Sequence, residues 1–311
     1  MLTFIVDPNA GEQQQGLRVW QRLERFLVKR NTAYQVFLTG RRGEARLLSE
    51  HLTERNVLEE EDLVLIAVGG DRLMNEILDG AHLSDRLIFG FVPAERSDLA
   101  RGLRLPRSQW LCFRRILNPH EVRLMDYGIV DFGAEEPQHR RFAVSCGCGY
   151  DAVRSEMASE FSQRPGLHVP LLQDLQFTGS TLQCFLGAKT VRGELLLDET
   201  RRVELNHIFL LSAQIQPTEA RGIRLAKSAA NTDGLLTVCI LHNRSKLQQF
   251  RILAAPGLKK PVEFAGVRNY TCAELKVSLK EPLLLHVDGE AVGMQREFTV
   301  RCIRQKLKFL C

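Results

Sequence analysis

The sequence predicts an α/β + β protein, in which an N-terminal parallel α/β domain is followed by an antiparallel β-sandwich. Three observations carry this. The chain has 311 residues, more than one ordinary domain needs. Its first third alternates continuous apolar runs with helix-periodic runs, the pattern of a parallel sheet covered on both faces. From about residue 120 onward, strand-like runs follow one another, separated by turns rich in Gly, Asn and Asp.

The elements read in order as follows. "LTFIVD" is a short apolar strand. "GLRVWQRLERFLVKRN" places Leu17, Trp20, Leu23 and Leu27 on one helical stripe, and Asn31 suits its C-cap. "AYQVFL" is a strand, and "GEARLLSEHLTERN" a helix with Ala45, Leu48 and Leu52 inward. "DLVLIAV" is a strand, "LMNEILDGA" a helix and "RLIFGFVP" a further strand. "RILNPHEV" marks the boundary, giving domains 1–120 and 121–302. The second domain carries strands at "EVRLMDYGIVDF", "RRFAVSCG", "GELLLD", "VELNHIFLLSAQ", "GLLTVCILH", "AELKVSLKEPLLLHVDG" and "REFTVRCI". Helical insertions are expected at Asp151–Phe161 and Ser245–Ala254.

Composition narrows the function. A hydrophobic fraction of 44% with 25% charged residues is that of an ordinary soluble globular chain. No apolar run approaches the roughly 18 residues that span a bilayer. The start, "MLTFIVDPNAG", lacks a basic leader and cleavage site, so the expected compartment is the cytoplasm. Eight cysteines in a chain of this length make no disulfide scaffold. Cys146 and Cys148 lack a second ligand pair and read as thiols packed at a buried strand end. The net charge of +5 is spread over short clusters without interleaved aromatics, which disfavours nucleic acid. It fits peripheral contact with an anionic membrane surface.

Three stretches carry chemistry. "VDPNAG" ends a strand and opens a helix, where backbone N–H groups attract phosphate. "VGGDRLMNE" does so more strongly: Gly69 and Gly70 let backbone approach an anion, Asp71 could hold a magnesium–nucleotide assembly or a substrate hydroxyl, and Asn75 and Glu76 lie on the first turns of the helix. "HVDGEAV" sets Asp288 and Glu290 about Gly289. In extended chain both face one side, whereas a break at Gly289 puts them on a hairpin tip. One of them could serve as general base.

Together these stretches resemble the diacylglycerol kinase family, which includes bacterial lipid kinases and the sphingosine kinase catalytic domain. "DPNAG", "GGDRLMNE", "PAERSDLARGL", "LMDYGIV", "SCGCGYDA", "TDGLLTV" and "HVDGEAV" match its motifs in order from residue 4 to about 310. The resemblance implies an ATP-binding α/β domain completed by residues 303–311, and a β-sandwich that helps bind lipid. It implies transfer of the ATP γ-phosphoryl group to a lipid hydroxyl. By position, Asp7, Pro8, Asn9, Ala10, Gly11, Thr39, Gly69, Gly70, Arg72, Leu73, Asn75 and Glu95 surround the nucleotide. Glu290 matches the proton acceptor, with Asp288 beside it, and some relatives give that role to the residue matching Asp71. Asp233 matches an acidic residue at a magnesium site. The partners implied are a hydroxyl lipid and the inner membrane face.

The departures cluster at the phosphate loop, which is degenerate. Asp7 replaces Asn, Arg72 the third glycine, and Leu73 a phosphate-facing Thr. Glu95, Arg96 and Ser97 stand where Gly-Thr/Ser and Asn are usual. Arg72 is expected to be strained at a position needing positive φ. It is expected to pair with Asp7 and Glu95, an Arg72–Glu95 ion pair occupying the place of the phosphates. Whether Arg72 binds phosphate or replaces it stays open at this point, as does a non-catalytic lipid-binding role.

Overall fold

The computed structural model describes residues 2–11, 13–59, 62–150, 152–153, 183, 185–217, 226, 228–249 and 267–311. The chain divides into two compact units: residues 1–127 with 231–233 and 303–311, and residues 128–230 with 234–302.

The first unit is built on β1 (Leu2–Val6), β2 (Tyr34–Leu38), β3 (Leu63–Gly69) and β4 (Leu87–Pro93). They lie in the order β2-β1-β3-β4, all parallel. Phe309, near the end of the chain, pairs parallel with Phe89 at the edge of β4. The helices are α1 (Gln15–Lys29), α2 (Glu44–Glu59), α3 (Asp71–Gly80), α4 (Asp98–Gly102) and α5 (Gln109–Leu117). Because β1 and β3 are neighbours while β2 lies on the far side, the chain reverses direction across the sheet between them. In open α/β sheets such a switch point marks where a ligand binds, beyond the carboxyl ends of the strands. Asp7 and Gly70 follow β1 and β3 at this place, and Asp7 N–H donates to Val68 O at 3.0 Å.

One core of this unit gathers Phe4, Trp20, Leu23, Leu27, Ile66 and Phe113. The rings of Phe4 and Trp20 lie 4.9 Å apart. α1 buries Val19 with Trp20, Leu23 and Leu27, whereas Leu17 is half-buried. Asn31 follows the helix in the left-handed conformation, at φ 51°, a standard helix stop. α2 departs further from its apolar pattern. Its buried stripe is Ala45, Ser49, Thr53 and Asn56, while Leu47 is exposed and Leu48 and Leu52 are half-buried. Hydrogen bonds permit this polar seam: Ser49 Oγ donates to Ile77 O at 2.7 Å, and Thr53 Oγ1 accepts from His82 N–H at 2.8 Å. α5 has no counterpart in the sequence reading.

The second unit contains β6 (Gln138–Phe142), β7 (Ser145–Gly149), β8 (Val191–Leu197), β9 (Arg201–Gln214), β10 (Leu236–His242), β11 (Val267–Cys272) and β12 (Glu274–Val287). β5 (Val122–Phe132) and β13 (Glu290–Leu310) contribute residues to both units. The pairing within the second unit is antiparallel. The long strands β9 and β12 each pair with β8 at one end and β7 at the other, as strands do when they bend from one layer to the next. Leu195, Leu205, Leu211, Val238, Leu275 and Leu285 lie in the core they enclose. The expected single strand "RRFAVSCG" is two. The N–H groups of Ala143, Val144 and Ser145 turn to the Asp288 carboxylate, and the strand breaks there. Residues 152–153 and 246–249 are helical and Ser245 precedes the helix; the other residues of both expected insertions lie outside the described residues.

Candidate functional site at the carboxyl edge of the parallel sheet

The turn after β3 is extended at Gly70 (φ −102°), and α3 starts at Asp71. Arg72 is therefore the second helical residue. It is not among the residues with positive φ, so the expected backbone strain is absent. Space rather than φ favours glycine here, at Gly70 only against the movable end of Glu95. A Cβ on Gly69 would strike the Leu73 side chain, and one on Gly70 would collide with Glu95 Oε1.

Arg72 Nη2 meets Asp7 Oδ2 at 3.0 Å, while Asp7 Oδ1 accepts from Asn9 N–H at 3.0 Å. The Asp7 side chain is 10% exposed and that of Arg72 35%. Glu95 is exposed along its length, yet its carboxylate rests on Gly70 at the α3 N-terminus. That end of a helix favours negative charge, and here an internal carboxylate occupies it. The two departures from the motif thus compensate one another: the extra cation of Arg72 is matched by the extra anion of Asp7.

The "DPNAG" turn is closed on itself. Ala10 N–H donates to Asp7 O at 3.2 Å, Gly16 N–H to Ala10 O at 2.9 Å, and Leu17 N–H to Pro8 O at 3.1 Å. Two first-turn donors of α1 that an anion would use are engaged by the turn itself. A Cβ on Gly16 would collide with Asp7 O, so the turn and helix start fit only with glycine there. Gly11 takes the left-handed conformation, at φ 73°. Thr39 is buried, and its hydroxyl donates to Val6 O at 3.1 Å.

Asp71 faces the next helix. Its Oδ1 accepts from the Ser97 hydroxyl, and its Oδ2 from Asp98 N–H at 2.7 Å. Ser97 is also the N-cap of α4, accepting from Ala100 N–H at 2.8 Å. Asp98 pairs with Arg101 at 2.8 Å. Asp71 therefore joins two helix starts. Asn75 and Glu76 are buried on the first turns of α3. Ser97, noted in the sequence only as a departure, turns out to be this link. The signal for it is a Ser three residues before Ala100 at a helix start.

In the second unit, Asp288 (φ 47°) and Gly289 (φ 85°) form the tip of the β12–β13 hairpin. The Asp288 carboxylate accepts the N–H groups of Ala143, Val144 and Ser145 at 2.8–2.9 Å. Gly289 N–H donates to His286 Nδ1 at 3.2 Å. Glu290 Oε2 accepts from Arg140 Nη2 at 2.9 Å, their side chains being 23% and 11% exposed. The hairpin reading of this stretch holds. Asp288 fastens the tip to the 143–145 backbone, and Glu290 faces a guanidinium. Arg140, a sequence signal only as part of a basic doublet, is the residue that orients Glu290.

Asp233 is exposed in the segment 231–233 of the first unit. That segment docks through Asp126 N–H to Asn231 O at 2.7 Å, and Gln305 Nε2 to Thr232 O at 2.8 Å. Among the described residues no group of three or more His, Cys, Asp or Glu side chains comes together to hold a metal ion. Cys146 and Cys148 are fully buried on β7. Elsewhere burial pushes the Cys112 and Cys272 thiols up to about 11 and about 12, so both are held as inert thiols. No helix among the described residues is long and apolar enough to cross a membrane.

Comparison with known proteins matches residues 1–130 to the diacylglycerol kinase catalytic domain. Residues 144–311 match the YegS C-terminal NAD kinase beta sandwich-like domain. The "Putative lipid kinase YtlR" of Bacillus subtilis (strain 168) is 27% identical over 93% of this chain and 93% of its own. The diacylglycerol kinase of Staphylococcus carnosus (strain TM300) is 23% identical over 93% of this chain and 88% of its own. A crystal structure of a diacylglycerol kinase from Bacillus anthracis str. Sterne superposes with a TM-score of 0.69 at 14% identity, covering 99% of this chain and 96% of that one. Yeast NADH kinase shares the fold more distantly, with a TM-score of 0.55 at 8% identity over 99% of this chain and 82% of that one.

Proposed function

We propose a function that starts from the family: the chain belongs to the bacterial diacylglycerol-kinase type of lipid kinase, and its own reaction is phosphoryl transfer from ATP to the hydroxyl of diacylglycerol or a similar lipid. The observation that supports this most is the turn Gly69-Gly70-Asp71. It sits at the sheet's switch point with its helix N-terminus intact, and it is closed by side chains rather than by backbone. In the resting protein the Arg72–Asp7 pair and the Glu95 carboxylate cover this turn. Nucleotide entry requires that both swing aside, after which Arg72 is a cation beside the incoming phosphates.

Phosphoryl transfer depends on positioning and on charge stabilisation more than on covalent participation by the protein. ATP supplies the transferred group; Gly69, Gly70 and Asn75 would hold it. Glu290 is the acceptor of the lipid hydroxyl proton, oriented by Arg140. Asp288 and Asp71 are positioning residues, because each spends its carboxylate on backbone N–H groups or a helix cap. The protein works in the cytoplasm, by peripheral contact with the inner membrane face.

A second reading has its own support: Leu73 packs on Gly69 where the family places a hydroxyl, which favours a lipid-binding relative without transfer. Incubation with γ-labelled ATP, magnesium and a mixed lipid extract separates the two. Label entering lipid with the wild-type protein and vanishing in Glu290→Gln supports the kinase. Label that appears only after Arg72→Gly/Leu73→Thr supports the inactive relative. No label from either protein rejects the reaction.

A further inference from the structure

The outer face of α5 has the chemistry of a membrane-contacting surface. The helix buries Cys112, Phe113 and Ile116. Its other face carries Trp110 with Arg114, and Leu111 with Arg115, each pair one turn apart and therefore side by side. Trp110 is 39% exposed and Leu111 46%. Water-facing helix surfaces ordinarily carry polar residues of both signs, whereas this one pairs large apolar groups with guanidinium groups and has no carboxylate.

Two further observations extend the surface. Trp110 is held edge-on against Phe26 of α1, with ring centroids 4.7 Å apart, and the Arg30 guanidinium lies 4.6 Å over the same Phe26 ring. The indole is thus a braced projection flanked by cations. The surrounding sequence is equally one-sided: residues 99–120 contain five arginines and no acidic residue, in a chain with 37 of them. Only Arg101 of the five is paired, with Asp98; Arg104, Arg107, Arg114 and Arg115 are exposed and make no ion pair with a described residue.

We propose that this face of α5, with the end of α1, docks on the surface of an anionic phospholipid bilayer. Indole and leucine groups settle at headgroup depth while arginines meet the lipid phosphates. The apolar members decide for lipid over nucleic acid, since a phosphate backbone alone would leave Leu111 without a partner. The inference gains its purpose from the lipid-substrate reading, but it stands on these side chains alone. Vesicle binding and phosphoryl transfer can therefore succeed or fail independently.

The chain has two tryptophans, and Trp20 is 3% exposed in the core, so a change in indole emission reports Trp110. The test adds vesicles of phosphatidylcholine, with or without about 30 mol% phosphatidylglycerol, to the full-length protein. Emission and co-flotation are followed together. The expected result is binding to the anionic vesicles only, with a blue shift that disappears in Trp110→Phe. Arg114→Gln/Arg115→Gln should weaken binding about 30-fold, at ~1 kcal/mol per basic residue near an anionic surface. All three positions are exposed, so these variants should melt like the parent. The proposal is overturned if anionic vesicles do not bind. It is equally overturned if they bind without a blue shift, if the arginine change leaves affinity unaltered, or if RNA competes the vesicles off.

Discussion

Replacing Asp7 with Asn tests the closed turn most directly. The change keeps an oxygen that can accept from Asn9 N–H and removes the charge that holds Arg72 at 3.0 Å. With Arg72 about one-third exposed, the pair is screened, and its loss should cost about 1 kcal/mol of stability. That corresponds to a melting shift of about 2–4 °C. The effect on nucleotide affinity should be larger and of opposite sense. A unit negative charge about 5 Å from the Asp7 carboxylate serves as the order-of-magnitude case for a phosphate oxygen on the turn. At an effective dielectric constant of about 40 the two would repel by about 1.7 kcal/mol, roughly 15-fold in affinity. Removing the carboxylate abolishes this repulsion and frees the guanidinium. Titration calorimetry with ADP and fixed magnesium should therefore show at least tenfold tighter binding by Asp7→Asn than by the wild type. An unchanged or weaker affinity, in a variant that melts within about 4 °C of the parent, would refute the closed-turn argument.

Arg72→Gly/Leu73→Thr should weaken ADP binding, because it removes the cation and leaves the Asp7 carboxylate unpaired, and should lose about 2 kcal/mol of stability because Leu73 is buried; a urea titration reads the second quantity. Asp288→Ala should destabilise by about 3 kcal/mol, since three backbone N–H groups lose their acceptor, whereas Glu290→Gln should change stability by less than about 1 kcal/mol. A large destabilisation from Glu290→Gln would argue that the Arg140 pair is structural. His242 is held below the ordinary histidine value, first by burial and then by the nearby charge of Arg268. Its folded pKa is depressed, so the unfolded chain takes up the proton first. Stability is full above the unfolded value of about 6.5 and falls as pH drops from there toward the folded value. The thermal midpoint should therefore decline between neutral pH and pH values below about 6, and less steeply in His242→Gln.

The alternation of the first unit was legible because strands buried on both faces are continuous apolar runs, and β1, β3 and β4 are such runs. α5 was not, because Trp110 and Leu111 add apolar residues on the side facing away from the core and blur the Cys112/Phe113/Ile116 stripe. α2 misled for the opposite reason: its buried seam is made of Ser49, Thr53 and Asn56, whose hydrogen bonds depend on partners elsewhere in the chain. At the site, motif order located the turns but not their side-chain partners. Arg72 and Asp7 are 65 residues apart, and the groups that hold Asp288 are backbone N–H groups more than 140 residues away, invisible to any reading of side-chain type. The assumption that a glycine lost from such a loop must leave strain also failed, because α3 begins at Asp71, two residues before the expected start at Leu73, and Arg72 is already helical.

On the kinase reading the closed turn is a resting state, because what closes it differs in kind from what builds it. The scaffold is fixed through backbone groups: Asp71 accepts from an N–H at the start of α4, and the "DPNAG" turn is tied by its own carbonyls. Moving any of these would break several hydrogen bonds at about 1 kcal/mol each and expose buried polar groups. The closure consists of two side chains, Arg72 and Glu95, both open to solvent on one side. A partly exposed ion pair opens for about 1 kcal/mol, an energy that a multiply charged nucleotide can readily offset. Asp7 and Arg72 are matched in charge, and both glycines are packed against Leu73 and Glu95. Together they preserve the shape of the turn and confine the change to groups that can move.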